Sequence, residues 1–212
     1  MIEIIIIAVT VVASFKAFSD ETFFRKYEFH IGSIKAGEQI RLITSGFLHV
    51  DVAHLAFNMI TFYFFAPVVY NYLGINYFLL IYFASILVGN LFSLQMYKNH
   101  YHYRAVGASG GVSGIIYSAI MLQPDMNLYL FFIPLPIPAY IFGIGYLLYS
   151  LYGMKAKIDN IGHTAHFGGA ITGFILTLLI NPQLAIMYPK MTMLLTLPII
   201  ILFYMYKTKR IN

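Results

Sequence analysis

The sequence contains no cysteine, so it holds no disulfide, no thiol nucleophile and no thiolate metal site. Charge is scarce as well: 10% of the 212 residues are Asp, Glu, Lys or Arg, against roughly 25% in ordinary globular domains. The acidic residues (Glu3, Asp20, Glu21, Glu28, Glu38, Asp51, Asp125 and Asp159) lie between the apolar runs or at their edges. A carboxylate that orients a base or holds a metal deep in the membrane is therefore not expected. No H-E-x-x-H pattern occurs, which removes the usual helix of a zinc peptidase. The formal charge of +5 comes from loops and the C-terminal KTKR stretch; it suits a membrane surface and gives no reason to invoke nucleic acid.

What is present is apolar sequence in long runs. A helix needs about 20 predominantly apolar residues to cross a bilayer core, and seven runs approach that length: Ile2 to Phe18, Val52 to Tyr70, Tyr77 to Gln95, Ser109 to Leu122, Ile137 to Gly153, His163 to Ile180 and Met191 to Tyr206. In lipid only a helix or a closed barrel satisfies its own backbone, and these runs lack the alternation of barrel strands. The expected fold is an all-α polytopic membrane helix bundle forming one domain over residues 1–212. The first run lacks a basic start and a small-residue cleavage site, so it reads as a span. Ser19 to Ser45 is the longest loop, and its half-apolar pieces TFFRKYEFHIG and EQIRLITSGFL suit the membrane interface. Ahead of the fifth run, Pro134, Pro136 and Pro138 in FFIPLPIPAY forbid a regular helix and predict a re-entrant or bent approach.

Spans alternate in direction, so the second, fourth and sixth all start at one face. That brings His49, His54 and Asn58, then Ser109, then His163 and His166 to similar depth. Polar groups inside a membrane are costly and mark candidate sites. A lone serine among glycines is ordinary helix-packing material, but here Gly110 and Gly114 on the fourth run, with Gly169 and Gly173 on the sixth, make two G-x-x-x-G faces that allow close approach. If those faces meet, Ser109 comes within reach of His166. A serine hydroxyl beside a neutral imidazole is the minimal activated nucleophile. His54 and Asn58, four residues apart on one helix face, can supply N–H donors to an oxyanion, as can the backbone N–H of Ser109. With no acid in the spans the arrangement is a Ser–His dyad. GASGG fits G-x-S-x-G literally, but RAV is too short to be the strand that a nucleophile elbow requires. Ser113 and His163, each one turn from its counterpart, are the rival pair.

Three segments, GEQIRLITSGFLHVDVAHLAFN (37–58), GASGGVSG (107–114) and IDNIGHTAHFGGAITG (158–173), resemble in order and spacing those of the rhomboid intramembrane serine proteases. The resemblance implies a rhomboid-like six-helix core over about residues 1–182, with a seventh C-terminal helix at about 190–207. It implies Ser109 as nucleophile, His166 as base, and His54, Asn58 and Gly107 around the oxyanion. It further implies no cofactor, transmembrane proteins as substrates within the lipid bilayer, and residence in the cell membrane. His163 then lies beside the site or at the surface, and His49 supports the first loop. Three features depart from the family pattern. Ile40 replaces the usual Trp before Arg41, Ser113 stands where an aromatic usually stacks on the catalytic His, and the seventh helix is an addition.

Other readings are a proteolytically inactive rhomboid-like binder of membrane helices and a His-ligated metal or haem protein. All Lys and Arg except Lys190 map to the face that carries the site. The positive-inside rule would make that face cytosolic, whereas the resemblance implies an extracytoplasmic opening. The fifth run, lacking a small-residue face, is expected to pack least tightly and to act as the lateral gate.

Overall fold

The computed structural model describes residues 1–130, 133–156 and 162–208. Phe131 and Phe132, the IDNI start of the third motif with Asp159, and Lys157, Lys209 and Arg210 lie outside the described residues. Each of the seven apolar runs forms a helix. The first, α1 (Ile2–Ser19), buries Glu3, Ile6, Thr10, Ser14 and Ala17, a stripe at helical spacing. The long loop folds into α2 (Glu21–Tyr27), β1 (Phe29–His30), α3 (Ile31–Lys35), α4 (Arg41–Thr44) and a short 3-10 turn. Arg41 organises it: the buried guanidinium donates to the carbonyls of Arg25 and Glu28 at 2.7 and 3.0 Å and to Glu38 Oε2 at 2.7 Å. Ile40 is exposed, so it does not help to seat the loop as Arg41 does.

Helix α5 (Val52–Leu73) opens on Asp51, whose carboxylate caps the His54 N–H at 2.7 Å. It turns through Gly74 into α6 (Ile75–Met96). After β2 (Arg104–Ala105), which pairs antiparallel with β1, comes α7 (Ser109–Leu122). Its residues from Gly110 to Leu122 are all buried, as the central post of the bundle must be. At 14 residues it is roughly 21 Å long, short of the ~30 Å hydrocarbon core. A helix this short does not cross that core from one side to the other.

The proline-rich approach is extended. Strands β3 (Asn127–Leu130) and β4 (Ile133–Pro138) form an antiparallel ribbon, which suits prolines because their fixed φ is extended-compatible and an outer strand needs fewer N–H donors. Then follow α8 (Ala139–Ala156), α9 (His163–Ile180), α10 (Gln183–Met187) and α11 (Pro189–Lys207). The helical bundle is the expected one, with two short ribbons added. Among the described residues, α1, α5, α6, α9 and α11 are long and apolar enough to cross a membrane. Helix α8 has the length, but its four tyrosines dilute its hydropathy.

The two glycine faces do meet. A Cβ placed on Gly169 or Gly173 would overlap the carbonyls of Gly110 and Gly114, so α7 and α9 touch backbone to backbone. Helix α6 closes the same trio, its Gly89 facing the Ala165 carbonyl. Helix α8 packs far less on α7 than α9 does, and α11 lies along its other side. It is nevertheless not devoid of close approaches: a Cβ at Gly143 would press on Ile120, and one at Gly153 would overlap the His163 ring.

Candidate active site

The glycine-set register of α7 against α9 brings Ser109 Oγ to 2.6 Å from His166 Nε2, within the range of a strong O–H···N bond. Of the rival pair, Ser113 Oγ instead lies 3.3 Å from the Tyr146 hydroxyl. His163 is buried, edge-on to Tyr149 and with its ring 6.2 Å from that of His166. It is a neighbour of the dyad and not a surface residue.

His54, Asn58, Ser109 and His166 line one cavity of about 1450 Å³. Asn58 is buried and spends one amide N–H on the His54 carbonyl at 3.0 Å. The amide has a second N–H to offer. Gly107 sits at φ +139°, a backbone region in which a side chain is strained. A Cβ there would lie 2.9 Å from His54 Cε1, so glycine makes the room in which the His54 ring lies against the strand leading to Ser109. The Gly107 N–H donates to the Ser45 carbonyl at 3.0 Å. Its part is therefore space rather than a donor for an oxyanion. Ser109, which opens α7, presents one of the N–H groups that a helix start leaves unsatisfied within the helix.

His49 has a more definite place than support for the loop. It is fully buried; its Nε2 accepts from the Ala108 N–H at 3.3 Å, and its Nδ1 lies 2.9 Å from Ser14 Oγ. The Ser14 hydroxyl donates to the Phe47 carbonyl at 3.0 Å, so the His49 Nδ1–H must be the donor to Ser14. Burial, with the His54 ring beside it adding to the effect, lowers the His49 pKa to about 3. The imidazole is thus neutral at pH 7 and keeps the lone pair that holds the peptide just ahead of Ser109.

Tyr146 was not foreseen. Its ring stacks on that of His166, with centroids 5.5 Å apart and planes at 24°. The only signal for it in the sequence is negative, since Ser113 leaves the imidazole without an aromatic neighbour from α7. On the cavity's flanks stand Phe57 and Thr61 of α5 and Phe142 and Tyr149 of α8. Among the described residues no group of three or more His, Cys, Asp or Glu is placed to hold a metal ion.

The fold and site define a polytopic helical membrane protein with a serine and a histidine in hydrogen-bond contact at the N-terminal end of its central helix. Comparison with known families gives the class its name: the model of the Rhomboid domain matches residues 36–183. The chain belongs to the rhomboid family. It is 30% identical to "RHOMBOID-like protein 12, mitochondrial" of Arabidopsis thaliana, over 76% of this chain and 52% of that protein. To "Rhomboid protein 1, mitochondrial" of Saccharomyces cerevisiae it is 28% identical, over 65% and 40% respectively. With "Rhomboid protease GluP" of Bacillus subtilis it shares 30% identity, over 66% of this chain and 26% of that one. The matches thus span between about a quarter and about half of these relatives' own lengths. The protein is an integral multi-pass membrane protein. Because two of these relatives carry mitochondrial names, the narrower expectation of the cell membrane is not retained.

Proposed function

We propose that the protein is an intramembrane serine endopeptidase that cleaves the transmembrane segments of other membrane proteins with the dyad Ser109 and His166. The observation that carries this reading is the 2.6 Å Ser109 Oγ to His166 Nε2 contact at the wall of a cavity shared with His54 and Asn58. In the reaction, His166 Nε2 takes the hydroxyl proton as Ser109 Oγ attacks the scissile carbonyl carbon. The oxyanion that forms is met by the second Asn58 N–H, the His54 ring and the Ser109 N–H. Collapse expels the amine, which takes the proton from His166 and leaves an acyl-serine. Water then repeats the sequence with His166 as base, releasing the acid and restoring Ser109.

Access to a recessed serine must come from the side for a substrate helix in the bilayer. The cavity walls on α5 and α8 support admission between those two helices, with α8, the less firmly packed, as the moving element. The decisive experiment uses purified protein in detergent with a single-span substrate. Cleavage should persist in EDTA and vanish in Ser109→Ala and His166→Ala, and a fluorophosphonate should label the parent but not Ser109→Ala. A fluorophosphonate-inert parent that binds membrane helices without cutting them would favour the inactive-binder reading; inhibition by EDTA would restore the metal reading.

A further inference from the structure

An imidazole serves as a base only if its ring plane aims Nε2 at the hydroxyl, and a histidine on a helix can turn about its side-chain bonds. The hydrogen bond to Ser109 fixes where Nε2 lies, and a flat face against the ring fixes its tilt. In this protein the face of the His166 ring is covered by Tyr146, nearly parallel at 24° and with centroids 5.5 Å apart. Tyr146 is itself held at both ends. Its hydroxyl lies 3.3 Å from Ser113 Oγ, a buried group one turn along α7 from Ser109. Its ring is also stacked with Phe142, one turn earlier on α8, at 6.2 Å and 9°. Nucleophile, tyrosine anchor and base therefore belong to α7, α8 and α9 in turn, with the Tyr146 ring bridging the outer two.

We propose that Tyr146 is the positioning residue of His166: its ring sets the plane of the imidazole, and Ser113 sets the height of the ring through the tyrosine hydroxyl. The proposal rests on the reading of Ser109 and His166 as the reacting pair. It also gives Ser113 a role other than nucleophile. In this role Tyr146 acts through the base.

The test measures the rate of fluorophosphonate labelling of Ser109, kcat and KM for a single-span substrate, and the melting temperature of the full chain in detergent. Tyr146→Leu keeps apolar bulk but removes the flat face. It should slow labelling and kcat by roughly ten- to a hundredfold, the range expected when a reacting group is misplaced by about an ångström, with KM unchanged. Tyr146→Phe keeps the face and loses the anchor, so it should retain most of the rate, within about fivefold of the parent. Ser113→Ala should match it. The double variant Tyr146→Phe with Ser113→Ala should be no slower than either single one, because both remove the same contact. Should Tyr146→Leu fail to fold, the Phe and Ala cycle alone decides, and additive losses would overturn the proposal. Equal rates in Tyr146→Leu and Tyr146→Phe, or an unimpaired Tyr146→Leu, would also overturn it. His166→Ala separates the two levels. A dead His166→Ala beside a fully active Tyr146→Leu sinks only this inference, whereas an active His166→Ala sinks the dyad itself.

Discussion

The trio α6, α7 and α9 and the single helix α8 solve the same packing problem in opposite ways. In the trio, glycines let backbones touch, so its parts cannot slide without carbonyls colliding. Helix α8 meets its neighbours through side chains: Phe142, Tyr146 and Tyr149 toward the cavity, and the Tyr117 hydroxyl donating to the Gly143 carbonyl. Side chains can rotate and repack, whereas backbones in van der Waals contact cannot. The atoms that must keep a 2.6 Å register, Ser109 Oγ and His166 Nε2, stand on the rigid part. The wall proposed as the way in for a substrate stands on the adaptable one.

The largest effect should come from adding one methyl group to each part in turn. In Gly173→Ala the new carbon overlaps the Gly114 carbonyl, which has nowhere to move. We expect a loss of about 3 kcal/mol or more, the upper end for overpacking a core, seen as a collapse of the melting temperature in detergent and of fluorophosphonate labelling. In Gly153→Ala the overlap is with the His163 ring, which can turn, and α8 can shift. The cost there should be about 1 kcal/mol. Equal losses at the two glycines would erase the distinction between rigid trio and adaptable helix.

A smaller effect on stability but a large one on rate is expected on the opposite wall. Asn58→Ala removes a donor from the cavity while leaving the α6, α7 and α9 contacts alone. Cleavage should slow by about 10² to 10³-fold, as when one oxyanion donor is lost, with an almost unchanged melting temperature. An Asn58→Ala variant that cleaves at the parental rate would take this residue out of the reaction.

The effect that vanishes at neutral pH is a pH dependence of stability at the bracket that joins the first loop to α7. The folded-state pKa of His49, about 3, lies below the ordinary 6.5. Between those values the unfolded chain binds a proton that the folded one refuses. Stability should therefore fall as pH drops from about 6.5 toward about 3 and be indifferent to His49 above that window. In thermal melts from pH 7 to 4, His49→Gln should show a shallower fall than the parent. Parallel curves would mean that His49 is charged in the fold, contrary to its role as acceptor for Ala108.

Hydropathy and length were enough to place the seven helices, since a run of apolar residues without breaks has no other way to satisfy its backbone in lipid. The glycine spacing at 110, 114, 169 and 173 offered α7 and α9 two faces able to meet, and the structure shows that they do. Other features were not legible. The prolines at 134, 136 and 138 announce only that no helix runs there, and an extended ribbon obeys that prohibition as well as a bent one. Ser109 and Ser113 share one helix face, as His163 and His166 nearly do. Periodicity treats each pair alike, so the residues alone left the choice between them open until motif register was considered.

The tertiary structure sets Ser109, and not Ser113, against His166, through the height at which α7 stands against α9. That height follows from which carbonyl each glycine meets, a matter of ångströms that no spacing in the sequence encodes. Tyr146 on His166, and the His49 lone pair on the Ala108 N–H, are contacts between residues 20 and 59 positions apart. They arise because three helices share one end of a bundle, where proximity is set by packing and not by distance along the chain.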